Sequence, residues 1–391
     1  MPRTPNSYAV TGAGDSNALL SRVFSANGRG EASPSDLAQR VFQEDRHRIV
    51  QARAFRRLAG KTQVFTSRAS DHFRSRLTHT IEVVQIAREI ALALELNEDL
   101  VEALALVHDI GHPPFGHAGE HALDRCLTLY GLRFDHNLHA LRIVEHFEQQ
   151  SARHRGLNLT LAVREGIVKH SRDYSADTHP ELSLYLLDQA PPLEAQIIDL
   201  ADEIAYLTAD LDDGVESGLL DIAHIRTHVE LLRSSFAQAA LEHPDAEEKY
   251  LFYEALQTMQ RKLTLDLIAN TQSILAKHEL NTLQAIRTHP QRIAVFSPEV
   301  ERQRLEEKRY LYKTLYTCPA LTLEHDKAEE VVTAVFNFWM KNPGELPEGY
   351  ADDIARDGLP RVVADYIAGM TDAYILLQYA EIKRRPRRLN A

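Results

Sequence analysis

The amino-acid sequence predicts an all-α protein. Apolar residues recur at three- and four-residue spacings over most of the chain, and strand signals are sparse. No repeat of fixed period is present. The 391 residues are 44% hydrophobic and 26% charged, which is typical of a soluble globular chain with a sizeable core. We therefore expect one large helical domain or two of ordinary size.

The composition argues against several classes of protein. A net charge of −12 disfavours nucleic-acid binding through the body of the protein. No run of eighteen apolar residues and no apolar N-terminal core occur, so we expect neither a membrane partner nor a secretory signal. Two cysteines, Cys126 and Cys318, cannot build a disulfide framework and predict a reducing, cytoplasmic location. Phosphate-binding glycine loops and Gly-x-Ser-x-Gly elbows are absent.

The first half of the chain contains the clearest helical patterns. Residues 1–35 are rich in Gly, Ser, Asn and Pro and are expected to be flexible. Residues 62–65 could form a strand or an extended link. In the helix over 71–96, Ile81, Val84 and Ile90 are available for the core. Helices are expected at residues 35–61, 71–96, 97–107, 134–148, 156–170 and 194–218.

The second half is predicted to be helical as well. Residues 171–192 contain three prolines and are expected to form a loop that could cover a site. From residue 222 to 390 amphipathic helices are expected, broken near 242–247, near 342–349 and at Gly358. Residues 381–391 form a basic tail, in contrast to the net negative charge of the chain. We expect this tail to offer a weak contact for nucleic acid.

The most informative stretch is LALVHDIGHPPFGHAGEHALD, residues 104–124. His108 and Asp109 close an amphipathic helix that Asn97 opens as a cap. Gly111 permits a turn, and the following prolines prevent simple continuation of the helix. An imidazole and a carboxylate at one helix end can reach the same divalent ion. A His-rich surface loop would look similar, so this pair alone does not establish a metal site.

Further ligand types elsewhere in the chain favour the metal site. His79 precedes the His-Asp helix by one helical hairpin. On the helix over 194–218, Asp199, Asp202, Tyr206 and Asp210 recur on one face. A solvated acidic face is the alternative, but apolar neighbours indicate a buried stripe, which needs a cation. Two imidazoles and two carboxylates suit Mn, Fe, Mg, Ni or Zn, and the surplus histidines and arginines indicate a phosphate ester or anhydride as substrate.

Six motifs in order resemble a known family over roughly residues 40 to 380. The H…HD…D pattern resembles the HD-domain phosphohydrolases, and the longer matches resemble the deoxyguanosinetriphosphate triphosphohydrolase-like (dNTPase) proteins. The resemblance implies an HD-domain helical bundle with additional C-terminal helices. It places a metal-binding catalytic core at 36–230 and an extension at 231–380 that completes the same domain. The motifs are RSRLTHTIEVVQIAR, NEDLVEALALVHDIGHPPFGHAGEHAL, FDHNLHALRIV, GLNLTLAVREGIVKH, DLADEIAYLTADLDD and DYIAGMTDAY.

The resemblance also implies a reaction, the cleavage of a dNTP into deoxynucleoside and inorganic triphosphate. The implied cofactor is a divalent metal ion, Mn²⁺, Mg²⁺ or Fe²⁺. The implied partners are the dNTP substrate, a nucleotide effector and further copies of the chain in a homo-oligomer. The alternatives are a phosphohydrolase for a monophosphate, cyclic dinucleotide or alarmone, a metal-dependent nuclease or nucleic-acid-binding protein, and a nucleotide binder without turnover.

The resemblance assigns roles to individual residues. Asp202 is preferred over Asp199 because the family pattern is an Asp followed four residues later by Tyr. His117 is the expected acid for the departing 5′ oxygen, with Glu120 orienting it. His121 and His139 are expected at the surface. The implied metal ligands are His79, His108, Asp109 and Asp202, and the implied substrate contacts are His112, His136 and Arg76 on the phosphates, Tyr206 and Asp210 on the sugar, and Lys169.

Overall fold

A computed structural model describes residues 6–11, 19–22, 34–65 and 72–385. The all-α prediction is confirmed, because this part of the chain forms eighteen α-helices and no strand. Residues 62–65 are an extended link, in which Thr62 makes an isolated bridge with Ser75. None of the helices in the described ranges is long and apolar enough to cross a bilayer.

The first nine helices contain all the predicted metal ligands. Short 3₁₀ turns occur at Leu58–Gly60 and Pro180–Tyr185, and one π-helical turn at Ile143–Phe147. The helices are α1 Pro34–Gln51, α2 Arg53–Arg57, α3 Arg76–Ala93, α4 Glu98–Val107, α5 Gly116–Thr128, α6 His136–Arg142, α7 Leu161–Val168, α8 Leu193–Glu216 and α9 Ile222–His228.

The remaining helices confirm the three predicted breaks, since helices end at Glu242, Lys341 and Asp357. A second π-helical turn covers Tyr312–Tyr316, and a 3₁₀ turn covers Pro343–Glu345. The helices are α10 Glu230–Glu242, α11 Glu248–Lys277, α12 Leu283–Thr288, α13 Pro298–Leu311, α14 Pro319–Lys341, α15 Glu348–Ala351, α16 Ile354–Asp357, α17 Leu359–Ala368 and α18 Asp372–Arg384.

Side-chain caps determine where the site-bearing helices begin. Ser75 caps α3, so this helix starts five residues later than the sequence pattern indicates. Asn97 caps α4 as predicted, because its side-chain oxygen accepts from the Leu100 amide at 3.1 Å. Thr160 caps α7, which therefore begins within the predicted segment rather than at residue 156. The caps place His79 in the first turn of α3 and His108 at the end of α4.

The helix predicted over 35–61 is broken in the structure. Ala52 is extended, with φ −62° and ψ 142°, and separates α1 from α2. The buried Glu148 accepts a hydrogen bond from the Ala54 amide at 2.7 Å. This long-range acceptor satisfies an amide that a continuous helix would have paired internally.

The main apolar core lies between α3, α4 and α8, which pack against one another. Val84 and Ile90 are buried there as predicted, whereas the expectation for Ile81 was wrong because it is 49% exposed. A second apolar cluster joins α5 to α14, α17 and α18. The helix that follows the central loop therefore belongs to a different cluster from the helices that carry the predicted ligands.

The basic tail is only partly within the described residues. Lys383 lies 3.2 Å from Glu330, and Arg385 lies 2.7 Å from Glu345. These two cations are therefore paired with carboxylates on the protein. Residues 386–391, and the predicted flexible segment apart from residues 6–11, 19–22 and 34–35, lie outside the described residues.

Candidate metal and catalytic site

The structure brings the four predicted metal ligands together. Ligand atoms of His79, His108 and Asp109 all lie within 4.8 Å of one another, and all three residues are buried. Asp202 joins them from α8, with its Oδ1 2.8 Å from His79 Nε2 and 3.9 Å from His108 Nε2. Helices α3, α4 and α8 therefore contribute to one cluster. We call these four residues the ligand cluster.

The orientation and protonation state of His108 suit a cation. His108 Nδ1 lies 2.7 Å from the Ala105 carbonyl, which makes it the donor and leaves Nε2 as a bare acceptor. That Nε2 atom is buried and has no hydrogen-bond partner among the described residues. Burial lowers the pKa of His108, outweighing the neighbouring carboxylates. A neutral buried imidazole with an unpaired lone pair is the state that a metal requires.

The two carboxyl groups of the ligand cluster are ionised. Burial alone would raise the pKa of Asp109, but Arg76, His108 and His112 outweigh it and hold the pKa well below its usual range. Burial alone would also raise the pKa of Asp202. The hydrogen bond with His79 and the charge of His79 outweigh burial and lower this pKa to about 2. The donor set of two nitrogens and two carboxylates fits Mn²⁺, Fe²⁺ or Mg²⁺.

A second buried group lies beside the ligand cluster. His112, Glu120 and His136 also have ligand atoms within 4.8 Å of one another. Glu120 Oε1 is 2.9 Å from His136 Nδ1, and its Oε2 is 3.3 Å from His117 Nδ1. His112 Nε2 lies 3.1 Å from Asp109 Oδ1, which links the two groups. The predicted acid, its orienting carboxylate and the metal ligands thus form one continuous site.

Glu120 is the electrostatic centre of this second group. Burial would raise its pKa, but the hydrogen bonds with His117 and His136, and then the electrostatic effect of His136 and His112, lower it far below its usual range. The side chain of His117 is 71% exposed, whereas that of Glu120 is 6% exposed. A buried, ionised carboxylate therefore holds one ring nitrogen of an imidazole that faces the solvent.

Two glycines allow the backbone to form this site. A side chain at Gly111 would place its Cβ 2.0 Å from the His136 carbonyl, so α6 can approach the His-Asp turn only at a glycine. Gly111 has no positive φ, so close approach, not the expected turn, is the reason for this residue. Gly116 has φ +56° and opens α5 directly before His117.

Arg76 is placed differently from the phosphate clamp that the sequence indicates. It is 2% exposed, and its Nη1 donates to Asp109 Oδ2 at 2.8 Å. Its Nε has no hydrogen-bond partner among the described residues. One arm of the guanidinium fork is therefore committed to a ligand carboxylate.

The α8 face continues away from the ligand cluster as predicted. The Tyr206 hydroxyl donates to Glu203 Oε1 at 3.0 Å, and Arg304 and Lys308 of α13 both pair with that carboxylate. Asp210 is 2% exposed and accepts from the Tyr316 hydroxyl. Burial raises the pKa of Asp210 to about 7.

Lys169 does not reach the site. Its Nζ donates to Glu165 Oε1 at 2.6 Å and to the carbonyls of Leu186 and Gln189 at 2.7 and 2.8 Å. Three acceptors satisfy its three donors, and the residue is buried. The expectation of a substrate contact is therefore corrected, because this ammonium group ties α7 to the loop that follows it.

The histidine beside Lys169 is the functional neighbour that sequence reasoning missed. The ring of His170 lies 5.3 Å from that of His108, and its Nδ1 lies 2.7 Å from Asp199 Oδ1. Burial lowers its pKa, but Asp199 and the two ligand carboxylates outweigh this and raise it to about 9. Asp199 is thereby engaged outside the ligand cluster. A histidine at the end of an apolar helix was the available signal.

The two remaining predictions about histidines have different outcomes. His121 is exposed, as expected. The surface position expected for His139 was wrong, because it is 2% exposed. Its Nδ1 lies 3.2 Å from Asp365 of α17, and Arg142 shares that carboxylate. A partner more than two hundred residues away in sequence keeps this imidazole inside the protein.

Comparison with known proteins agrees with this geometry. A family model described as HD domain matches residues 76–207, which include the whole ligand cluster. A second, described as phosphohydrolase-associated domain, matches residues 294–381. Together with the site, these matches indicate a phosphohydrolase.

Curated relatives cover almost the whole chain and share one name, deoxyguanosinetriphosphate triphosphohydrolase-like protein. The relative from Ralstonia pickettii (strain 12J) is 41% identical over 356 residues, covering 91% of each chain. The relative from Azoarcus sp. (strain BH72) is 41% identical over 353 residues, covering 90% of this chain and 92% of its own. That from Geobacter sulfurreducens is 39% identical over 360 residues, covering 92% and 93%. With this identity over nine-tenths of its length and a complete ligand cluster, the chain belongs to the deoxyguanosinetriphosphate triphosphohydrolase-like family of HD-domain proteins.

Proposed function

We propose that the protein is a metal-dependent dNTP triphosphohydrolase. The observation that carries the proposal is the 3.1 Å contact between Asp109 and His112, which joins a four-ligand cluster to a proton-donating group. A pure nucleotide binder would need no acid beside its metal. The printed names of the relatives supply the nucleotide class.

His79, His108, Asp109 and Asp202 are the proposed holders of the metal. When bound, a divalent ion supplies an activated water near neutral pH and neutralises charge on the phosphate. The chain positions its ligands in advance, since the Ala105 carbonyl orients His108 and Arg76 orients Asp109.

His117 is the proposed general acid. Water adds to the α-phosphorus and releases one proton to the solvent, the bond from phosphorus to the 5′ oxygen breaks, and that oxygen takes a proton from His117, which is reprotonated from the solvent. Glu120 holds Nδ1, which leaves Nε2 to face the leaving group. Because the His117 imidazole is exposed and the Glu120 carboxylate is buried, His117 can protonate a substrate that enters from the solvent side.

The phosphate contacts proposed are His112, His136 and the free part of the Arg76 guanidinium. His112 and His136 stack with ring centroids 4.0 Å apart, beside Asp109. Arg172 is an additional candidate, because it lies 4.0 Å from Glu120 with its side chain 49% exposed. Imidazole and guanidinium groups next to the ligand cluster suit a triphosphate.

Tyr206 and Asp210 are the proposed sugar contacts. Both lie on α8 beyond Asp202, at one-turn steps away from the ligand cluster. Contacts from Glu203 and Tyr316 fix the positions of these two side chains. A ring held in this way can act as a steric wall at C2′ of the sugar.

Product analysis tests the proposal. Purified protein is incubated with each dNTP and Mn²⁺ or Mg²⁺ in ¹⁸O-labelled water, and the products are separated by chromatography. We expect deoxynucleoside and triphosphate, with the label in the triphosphate. Release of pyrophosphate or monophosphate would move the cut to another bond and contradict the proposal.

The same proposal includes a homo-oligomer, a nucleotide effector and a cytoplasmic location. Light scattering with and without each dNTP measures the oligomeric state and shows whether a nucleotide changes it. Metal analysis of protein purified without added metal identifies the native ion among Mn²⁺, Mg²⁺ and Fe²⁺.

A further inference from the structure

The motif DYIAGMTDAY, residues 365–374, has no role in the chemistry proposed above. It spans the end of α17 and the start of α18, far from the ligands in sequence. In the structure, Asp372 contacts the central loop at Phe115, and the Ala368 carbonyl shares the Lys61 ammonium group with the His112 carbonyl of that loop. The proposal below rests on the proposed function and concerns how this motif supports the acid.

Asp372 makes the most specific of these contacts. Its Oδ1 accepts from the Phe115 amide at 2.9 Å, a contact between residues 257 apart in sequence. Its Oδ2 accepts from the Thr62 amide at 2.9 Å and from the Thr62 hydroxyl. One carboxylate thus joins the extended link before α3 to the residue that opens α5.

Phe115 is the residue at which the chain needs support. It is the N-cap of α5 and has φ +64° and ψ +22°, a left-handed conformation with no side-chain cap. A bulky non-glycine residue rarely adopts this conformation and keeps it only when its surroundings hold it there. His117 follows two residues later in the first turn of α5, and Glu120 is the fifth residue of the same helix.

Two other contacts fix the surrounding backbone. Lys61 is buried, and its Nζ donates to the His112 carbonyl and, at 2.9 Å, to the Ala368 carbonyl. The Ala368 carbonyl belongs to the last residue of α17, where helix carbonyls lack internal partners. Asp365 holds His139 and Arg142 of α6. The loop is therefore anchored at both ends, and Asp372 alone among these contacts acts on the start of α5.

We infer that Asp372 is a positioning residue that sets the direction of α5 and so aligns His117 and Glu120 with the ligand cluster. The carboxylate holds the Phe115 amide, the amide defines the first turn of α5, and that turn carries the proposed acid. Asp372 touches neither the ligands nor the proposed substrate position.

Replacement of Asp372 tests this inference in the full-length protein. Asp372→Ala removes both acceptors, and we expect kcat to fall by up to about a hundredfold while KM and metal content change little, because misplacement of about 1 Å is enough for such a loss. Asp372→Asn keeps one acceptor oxygen for two amides and should lie between wild type and Asp372→Ala.

Two matched variants act as controls. Thr62→Val removes the hydroxyl donor but neither amide contact, so its kcat and KM should match wild type. Asp221→Ala removes a carboxylate that caps α9 through the His224 amide at 2.9 Å, away from the site. It measures what the loss of an ordinary helix cap does to turnover.

Hydrogen exchange separates this inference from the proposed function. In Asp372→Ala, amides of the peptide over residues 113–120 should exchange faster while those of α11 do not, whether or not the protein hydrolyses dNTPs. Unchanged exchange in that peptide would overturn the inference. A fall in kcat accompanied by a similar rise in KM or by loss of metal, or one equal to that of Asp221→Ala, would assign a purely structural role and overturn it as well. Faster exchange in Asp372→Ala, together with an absence of dNTP turnover in wild type, would instead contradict the proposed function alone.

Discussion

At the residue scale, the site depends on a few buried contacts that assign different tasks to similar side chains. Asp202 and Asp199 lie three residues apart on α8, but Asp202 faces His79 and Asp199 faces His170. His117 and His121 lie four residues apart on α5, but only His117 contacts Glu120. Each of these pairs offers a variant and a matched control.

The first prediction concerns the fourth ligand. Asp202→Asn should lose bound metal and turnover, because an amide is a poor ligand beside His79. Asp199→Asn should keep its metal, since Asp199 contacts His170, Ser171 and Arg292 and none of the proposed ligands. Metal content per chain, measured after gel filtration, distinguishes the two. The reverse order would reassign the ligand.

The second prediction concerns the acid. His117→Ala removes no proposed ligand, so metal content should survive, while turnover should fall by about a hundred- to ten-thousand-fold. Glu120→Gln should give a smaller loss. His121→Ala, on the same helix and exposed, should retain wild-type turnover. Near-normal turnover in His117→Ala would place the acid elsewhere, with His136 as the next candidate.

The third prediction concerns the sugar. Tyr206→Ala should raise the ratio of GTP to dGTP turnover, because it removes the ring proposed to exclude a 2′-hydroxyl. Tyr206→Phe keeps the ring and loses only the hydrogen bond to Glu203, so its ratio should match wild type. An unchanged ratio in Tyr206→Ala would exclude this residue from sugar selection.

At the element scale, the packing of α13 against α8 buries a carboxyl group without a partner. Glu307 is fully buried, and neither of its oxygens has a hydrogen-bond partner among the described residues. Burial, followed by the charges of Asp210 and Glu203, raises its pKa to about 8. Arg304 and Lys308, on the same helix, are committed to Glu203 instead.

This arrangement predicts a pH-dependent stability. Because the pKa of Glu307 is raised in the folded state, the folded protein binds more protons than the unfolded chain between about pH 4.5 and 8. The contribution of Glu307 to stability therefore declines as pH rises through that range. Glu307→Gln cannot ionise and should gain in Tm relative to wild type as pH rises from 5 to 8. Thermal unfolding at both pH values measures the Tm of Glu307→Gln minus the Tm of wild type. The prediction is contradicted if this difference is the same at pH 8 as at pH 5, or smaller.

At the scale of the whole molecule, the site joins helices that contact one another only in the folded chain. Ligands come from α3, α4 and α8, so a bound ion stabilises the assembled core and not the unfolded state. Added Mn²⁺ at about a hundred times its dissociation constant should stabilise the protein by about 2.7 kcal/mol. Chelation should lower Tm and Mn²⁺ should restore it in wild type and Asp199→Asn, but not in Asp202→Asn. Equal responses in both variants would show that the stabilising ion binds elsewhere.

Local patterns in the sequence were sufficient to predict most of the helices, whereas the proposed metal ligands came from the family resemblance. Caps such as Asn97, breaks such as Gly358 and the His108-Asp109 pair are defined within a few residues, so their signals can be read without knowing the neighbours. Apolar periodicity also predicted that α8 is buried, and hence that its acidic stripe needs a cation.

Only the tertiary structure decided which polar side chains meet. Periodicity shows which face of a helix is apolar but not which distant element covers it. The sequence therefore could not show that Lys169 turns to Glu165 while His170 faces the ligand cluster, or that Asp365 buries His139. Asp372 reaches Phe115 across 257 residues, and a contact of that separation has no local signature. The amino-acid sequence thus determined the helices and the chemical type of the site, whereas the packing of those helices determined the orientation and partner of each catalytic group.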